Sequence, residues 1–205
     1  MSFPDCTLIT CEQRSPEWHE HRRGYLTASQ FGDWITKSGK TADKAMLTAA
    51  SKCLADEIGS PDPAPFETDD MRRGIAMEPI VLGLFSQEFG VEVTPIGFAV
   101  SIHGKFGCSP DGLMMKEGEG IEVKCPRLSR LIQYKQLDVL PDEYAAQVHG
   151  SMAVTGAKVW WFVAYHPLLP LFTKRVVRNA YTEEMLAGLK AYDKFYNDLT
   201  NIIEV

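Results

Sequence analysis

The chain has 205 residues, of which 45% are hydrophobic and 23% charged, proportions that are ordinary for a soluble globular protein with one core. No apolar run approaches the ~20 residues of a membrane span, and the five cysteines include no C-x-x-C pair, which argues against structural zinc or a disulfide framework. We therefore expect one domain over residues 1–205, in the cytoplasm, without a membrane partner. The net charge of −6 does not exclude DNA binding, because the basic residues are clustered along the chain.

The N-terminal part predicts two short helices. A Ser-Pro pair at residues 15–16 is typical of a helix start. Thr27 and Gln30 have the spacing of a capping box, which predicts a second helix through Trp34. Free N–H groups at a helix start can bind a phosphate, and Arg22 can add charge-assisted hydrogen bonds to it. Capping is the commoner role for Thr27, and both interpretations stay open.

Two longer helices are predicted next. Asp43 can cap the first helix, whose apolar stripe is a predicted part of the core. Thr68 can cap the second, which should end at Gly90 and have a kink or break at Pro79. Residues 91–100 alternate weakly and predict a strand. The stripe of the first helix consists of Met46, Leu47, Ala50, Leu54 and Ile58.

The middle of the chain predicts a β-hairpin with charged side chains. Residues 121–124 alternate apolar and charged, so Glu122 and Lys124 should share one face. A Gly-Glu-Gly turn folds the strand at 113–115 back beside them and brings Asp111 near that face. Two carboxylates can hold Mg²⁺ through oxygen, and a lysine can orient or deprotonate a water and offset charge on a phosphate. An isolated Glu-x-Lys is more often a solvated outer face, but the preceding Pro-Asp-Gly makes the whole pattern more restrictive.

The pattern Pro-Asp at 110–111 with Glu-x-Lys at 122–124 resembles the PD-(D/E)xK nuclease superfamily. Further blocks, in family order over most of residues 16–165, resemble the viral recombinases of the phage lambda exonuclease type, also called alkaline exonucleases. The resemblance implies an α/β fold with a restriction-endonuclease-like core, a mixed central β-sheet flanked by α-helices. The blocks are Trp18-His19-Glu20-His21-Arg22-Arg23-Gly24, Thr27-Ala28-Ser29, Gly74 with Glu78, Cys108-Ser109-Pro110-Asp111-Gly112, Glu122-Val123-Lys124-Cys125-Pro126, and Tyr144-Ala145-Ala146-Gln147-Val148 with Ser151-Met152.

The resemblance also implies a metal-dependent active site. Asp111 and Glu122 are expected to bind Mg²⁺, with Mn²⁺ as a substitute, and the Val123 carbonyl is an expected third oxygen ligand. Lys124 would orient or deprotonate the attacking water. The remaining implied residues are Glu78 and Gln147, which would support this assembly, and Arg22, Ser29 and Ser109, which would hold the terminal 5′-phosphate.

The implied activity is 5′-to-3′ digestion of one strand of linear double-stranded DNA from 5′-phosphorylated ends, leaving 3′ overhangs for single-strand annealing. A ring-shaped homotrimer, a single-strand annealing protein as partner, and a phage or prophage origin in a bacterial host are further implications. The basic residues that could line a DNA path are Arg22, Arg23, Arg72, Arg73, Lys124, Arg127, Arg130 and Lys135.

The C-terminal part predicts the remaining elements of the core. The apolar run at 159–164 is typical of a strand buried on both faces, and residues 172–178 predict an edge strand. Thr182 can cap a final amphipathic helix that belongs to the core or to a subunit interface. No P-loop motif is present, so we expect no ATP consumption through a P-loop.

Two alternatives remain open on the sequence alone. The first is another PD-(D/E)xK nuclease, either an endonuclease or an iron–sulfur type; the latter needs four suitable cysteines, and none follows Cys125. The second is a DNA-end-binding recombination module without catalysis. The complete set of Asp111, Glu122 and Lys124 argues against that second alternative.

Overall fold

The computed structural model describes residues 3–35, 43–63 and 66–203. These residues form a mixed α/β fold in which helices flank mixed sheets, so the predicted fold class is confirmed. None of the helices in these ranges is long and apolar enough to cross a bilayer. The helices are α1 (Pro16–Arg22), a 3₁₀ helix (Ala28–Asp33), α2 (Asp43–Glu57), α3 (Asp69–Phe89), α4 (Leu128–Leu137), α5 (Asp142–Thr155) and α6 (Ala180–Ile202).

The strands divide between two four-stranded sheets. The first has the order β1-β3-β4-β2 and the second the order β5-β6-β7-β8. A bridge between Thr94 and Leu113 links the segment before β3 to β5 of the second sheet. The strands are β1 (Cys6–Ile9), β2 (Leu26–Thr27), β3 (Phe98–Ser101), β4 (Phe106–Cys108), β5 (Gly112–Met114), β6 (Glu119–Lys124), β7 (Val159–His166) and β8 (Leu169–Val177).

The predicted hairpin is present as β5 and β6. The two strands are antiparallel with Gly112 opposite Ile121, and Gly118 takes the left-handed conformation that the turn requires. On its other edge β6 pairs in parallel with β7, after a crossover that contains α4 and α5. This arrangement places β6 inside the second sheet, with helices on both of its faces.

Helix α3 packs on one face of β6. Its buried Val81 and Phe85 contact a cluster that includes Ile121 and Val123 of β6 and Val163 of β7. Both predicted caps of α3 are observed, whereas α6 is capped by Asn179 and not by the predicted Thr182. The Thr68 side chain accepts a hydrogen bond from the Met71 amide, and Gly90 ends the helix with a left-handed backbone.

Several local predictions need correction. The segment after Thr27 is a 3₁₀ helix of six residues that ends at Asp33, although the Thr27 amide does donate to Gln30 Oε1 at 3.0 Å as a capping box requires. Leu47 and Ile58 of the predicted apolar stripe are exposed: Leu47 lies on the side of α2 away from the core, and Ile58 lies just beyond the end of α2 at Glu57. The predicted strand at 91–100 is shorter, since β3 begins only at Phe98.

Helix α3 is also continuous through Pro79, where a kink or break was expected, so no break is present. Glu78, a predicted site residue, lies on this continuous helix immediately before the proline.

Candidate active site

Glu122 lies at the centre of the candidate site and is buried, with 1% of its surface exposed. Its Oε1 atom accepts a hydrogen bond from Gln147 Nε2 at 2.7 Å and forms an ion pair with Lys124 Nζ. Its Oε2 atom is buried without a hydrogen-bond partner among the described residues. A charged outer face, the alternative interpretation of the Glu-x-Lys pair, is thereby ruled out. The unpaired oxygen is unfavourable unless a further group binds it.

Asp111 reaches the same place from the segment between β4 and β5. Its Oδ2 accepts a hydrogen bond from the Val123 amide at 2.6 Å. The β5–β6 pairing ends at Gly112 and Ile121. Beyond this point the Asp111 carboxylate, instead of a backbone carbonyl, accepts the hydrogen bond from the next amide on that edge of β6, that of Val123. The N–H and C=O of one residue point to the same edge of a strand, so the Val123 carbonyl also faces the Asp111 side.

Glu78 joins these residues from helix α3. It lines a cleft of about 440 Å³ together with Asp111, Val123 and Lys124. Its Oε2 atom is 3.1 Å from a guanidinium nitrogen of Arg14. The remaining residues that line the cleft are Asp70, Met71, Arg73, Gly74, Ile75, Cys125, Pro126, Arg127 and Tyr144.

The carboxyl groups are held in an electrostatically unfavourable arrangement. Burial raises the pKa of Asp111 well above its ordinary value, and the neighbouring Glu122 raises it further. Burial also raises the pKa of Glu122, although Lys124 counteracts this. Burial alone would lower the pKa of Lys124, but Glu122 and Asp111 outweigh it and raise that pKa, so the ammonium remains protonated. A divalent cation between the carboxylates would relieve their repulsion.

The donor set can be tested for its fit to a metal. Within residues 3–35, 43–63 and 66–203, no group of three or more His, Cys, Asp or Glu side chains is arranged to hold a metal ion. Mg²⁺ does not need such a cage, since it is often bound by one or two carboxylates, retained waters and substrate phosphates. The carboxylates of Asp111 and Glu122, the latter with one oxygen unpaired among the described residues, and the Val123 carbonyl on the Asp111 side fit that requirement.

A second cluster surrounds Ser109, which stands two residues before Asp111 in the chain. The Arg22 guanidinium donates to Ser109 Oγ at 2.7 Å and covers the Trp18 ring at 4.0 Å. The Trp18 indole N–H is 3.1 Å from the same hydroxyl and 2.8 Å from the Gly97 carbonyl. Burial lowers the pKa of Arg22 to about 10, so the group is still a cation at neutral pH. The cluster is a fixed cationic donor set close to the acidic cleft.

The structure thus brings most of the predicted site residues together. Gln147 contacts Glu122 directly, as does Lys124, and Arg22 contacts Ser109. Ser29 is the exception. Its hydroxyl lies 3.3 Å from that of Thr27, and it lines a separate cleft that also contains Gln147.

Three contacts in this region involve residues to which the sequence analysis gave no role. Arg14 pairs with Glu78, Gln13 binds the Pro110 carbonyl at 2.8 Å, and the Lys124 ammonium lies 5.3 Å from the centre of the Tyr144 ring. Tyr144 lies in the same family block as Gln147, three residues before it, so the sequence did contain a signal for a role of Tyr144 at the site. Gln13 and Arg14 lie in no such block, and only the fold shows where they are.

The mixed sheets flanked by helices place the chain in the restriction-endonuclease-like fold class, to which its structural neighbours, solved nucleases, belong. The chain belongs to the family of the YqaJ-like viral recombinase domain, whose model matches residues 17–158. Membership of this family supports a role as a DNA exonuclease. The comparison with curated proteins found no match.

The fold is similar to that of solved exonucleases. The alkaline exonuclease LHK-Exo from Laribacter hongkongensis is 25% identical with a TM-score of 0.73, and the match covers 93% of this chain and 98% of that one. The same protein in complex with dAMP matches at 26% identity, a TM-score of 0.72 and the same coverage. A phage-related exonuclease from Haemophilus somnus 129PT shares the fold at 14% identity and a TM-score of 0.59, over 87% of this chain and 96% of that one.

Proposed function

We propose that this protein is a Mg²⁺-dependent exonuclease. It would digest one strand of linear double-stranded DNA in the 5′-to-3′ direction from 5′-phosphorylated ends and leave 3′ overhangs for single-strand annealing recombination. The observation that carries this proposal is the contact of Arg22 with Ser109, which stands two residues before Asp111, a residue that lines the acidic cleft. A cleaving centre next to a phosphate-binding group is what an enzyme that begins at DNA ends requires.

Asp111 and Glu122 would hold the metal, with the Val123 carbonyl as the third protein oxygen. The unpaired Oε2 atom of Glu122 supports this assignment, because ligation would satisfy it. A bound Mg²⁺ supplies an activated water and stabilises charge on the scissile phosphate, and Mn²⁺ would substitute for it.

The surrounding side chains would orient these ligands and the substrate. Gln147 donates a hydrogen bond to Oε1 of Glu122, and Oε2 would then be available to the metal. Lys124, protonated beside Glu122, would donate to the nucleophile or to a phosphate oxygen. Glu78 would support the assembly from α3, with its charge balanced by Arg14.

The 5′-terminal phosphate would be bound by Arg22 and Ser109. An arginine matches phosphate geometry through two parallel N–H donors, and stacking on Trp18 fixes its orientation. Ser29 remains part of the proposal as a further phosphate contact from the start of the 3₁₀ helix. We also propose, on the family resemblance, one domain over residues 1–205, a homotrimeric ring, a single-strand annealing partner, and a place in the cytoplasm of a phage-carrying host.

Nucleotide release from a linear duplex with 5′-phosphates, measured with and without Mg²⁺, tests the proposal. We expect release that requires the metal and begins at the 5′ end, as followed with a label at either terminus. Covalently closed circular DNA of the same sequence should stay intact. Cleavage of the circle would indicate an endonuclease, and tight end binding without any release would indicate a non-catalytic recombination module.

Arg22→Ala should chiefly remove the preference for a 5′-phosphate. Because a hydrogen bond to a charged group contributes about 1.5–3 kcal/mol, the ratio of rates on phosphorylated and hydroxyl ends should fall by about 10- to 100-fold. The ratio is measured on two duplexes that differ only at the 5′ end. Arg175→Ala is the matched control, since Arg175 is exposed, pairs with Glu119 and is not among the residues expected to line a DNA path. An equal loss on both ends would contradict the assignment.

A further inference from the structure

The turn between β1 and α1 contacts the segment that carries Asp111. The Gln13 side chain donates both amide hydrogens to backbone carbonyls, at 2.9 Å to Ile96 and at 2.8 Å to Pro110. Because both partners are carbonyl oxygens, only the NH₂ end of the amide can face them. One side chain therefore joins two segments that lie 83 and 97 positions further along the chain.

The Pro110 carbonyl belongs to the peptide group directly before Asp111. A peptide group is planar, so a hydrogen bond that holds this oxygen also fixes the amide plane of Asp111 and restricts the direction of its side chain. Residue 96 gives a firm anchor, because the adjacent Gly97 amide donates to Ile9 of β1 at 3.1 Å. Gln13 thus connects the acidic segment to the first sheet.

The same turn contacts the second acid-bearing element. Arg14 has a left-handed backbone with φ of 69°, which is unfavourable for a residue with a side chain and persists only where the surroundings impose it. Its guanidinium lies 3.1 Å from Glu78 on α3. Gln13 and Arg14 therefore contact the two segments that bring Asp111 and Glu78 into one cleft.

We propose that Gln13 is a positioning residue of the candidate metal site, acting on Asp111 through the Pro110 carbonyl. The inference rests on the proposed function. Gln13 touches neither metal nor substrate in this role. It keeps the Asp111 carboxylate in place against the Val123 amide, so that one oxygen of Asp111 is bound there and the ligand set is ordered before the cation arrives.

The test compares Gln13→Met, which has a similar length and no donors, with Gln87→Met, an exposed control on α3. Mn²⁺ and Mg²⁺ affinity is measured on the DNA-free protein by calorimetry and by the metal-induced rise in Tm. We expect affinity in Gln13→Met to fall by about tenfold, as for other supporting partners of metal ligands. The metal concentration for half-maximal nucleotide release should rise by the same factor, with KM for DNA unchanged.

Gln13→Lys should recover part of the affinity, because it restores N–H donors that can reach the carbonyls. If Gln13→Met is not folded at the assay temperature, Gln13→Asn replaces it, since its amide is one methylene too short to span both carbonyls. Metal affinity equal to that of Gln87→Met would overturn the proposal, as would an effect on KM for DNA alone. A wild-type protein that binds metal but releases no nucleotide would instead refute the proposed function, and the calorimetric comparison would still decide the role of Gln13.

Discussion

Asp111→Asn should abolish nucleotide release while stabilising the metal-free protein at neutral and alkaline pH. Loss of a metal ligand should lower the rate by about three orders of magnitude or more, which corresponds to about 4 kcal/mol of transition-state stabilisation. The amide oxygen of asparagine can still accept the Val123 N–H bond, so the fold should persist. The removed charge is one that burial and Glu122 make unfavourable in the folded state.

The sign of the pH effect follows from the raised pKa of Asp111. The folded, metal-free protein holds this proton to a higher pH than the unfolded chain, whose carboxyl titrates near pH 4. The resulting contribution to stability is fully present below about pH 4 and is lost as pH rises through the folded pKa. The wild type therefore carries a penalty at pH 8 that Asp111→Asn lacks.

Thermal unfolding measured with chelator between pH 4 and pH 8 checks this expectation. The Tm of Asp111→Asn should exceed that of the wild type at pH 8, and the difference should shrink towards pH 4. Added Mg²⁺ should raise the Tm of the wild type and leave that of the variant nearly unchanged. Asp62→Asn, at an exposed position beside Lys52, is the control and should behave as the wild type does. A variant that keeps its activity would remove the proposed metal site.

Lys124→Ala should reduce nucleotide release by about 100- to 1000-fold, the usual cost of removing one donor that stabilises charge in the transition state. The variant should also lose stability. Removing one partner of a buried ion pair leaves Glu122 as a buried charge without its cation, at a cost of about 3–5 kcal/mol. Lys116→Ala is the matched control, because that lysine pairs with Glu92 at the surface.

A double variant separates the two effects of Lys124. Adding Glu122→Gln to Lys124→Ala removes the uncompensated charge, so the Tm should recover most of its fall, while nucleotide release should not recover. Both variants are compared by thermal unfolding in chelator and by release in Mg²⁺. Activity of Lys124→Ala close to that of Lys116→Ala would show that the ammonium has no part in cleavage.

The local elements around the site could be predicted because their signals lie next to one another in the chain. Thr68 and Gly90 bound α3 through hydrogen bonds that reach only a few residues. The hairpin of β5 and β6 likewise follows from a short turn and alternating residues. The predicted helix stripe failed at Leu47, because periodicity gives a face but not how much of it is covered, and at Ile58, because α2 ends one residue earlier.

In the proposed site, too, the features set by neighbouring residues were predicted and those set by packing of distant elements were not. Its residue types and their approximate convergence were predicted, since the pattern from Asp111 to Lys124 is confined to one hairpin. The burial of Glu122 was not predicted. It depends on α5, which follows β6 in the chain and covers the face of the sheet on which Glu122 lies. Gln13 and Arg14 were missed for a related reason, as their partners are 64 to 97 positions away.

The amino-acid sequence by itself determined the caps of α3, the hairpin, the acidic and basic residue types of the candidate site, and the resemblance to a nuclease family. Each of these depends on groups that are near neighbours along the backbone or on a pattern of residue types. Only the tertiary structure decided that Glu122 keeps one oxygen without a partner among the described residues, that Arg22 contacts Ser109, and that Gln13 binds the carbonyl before Asp111. These are contacts between distant segments, and they exist because packing of the helices on the two sheets brings those segments together.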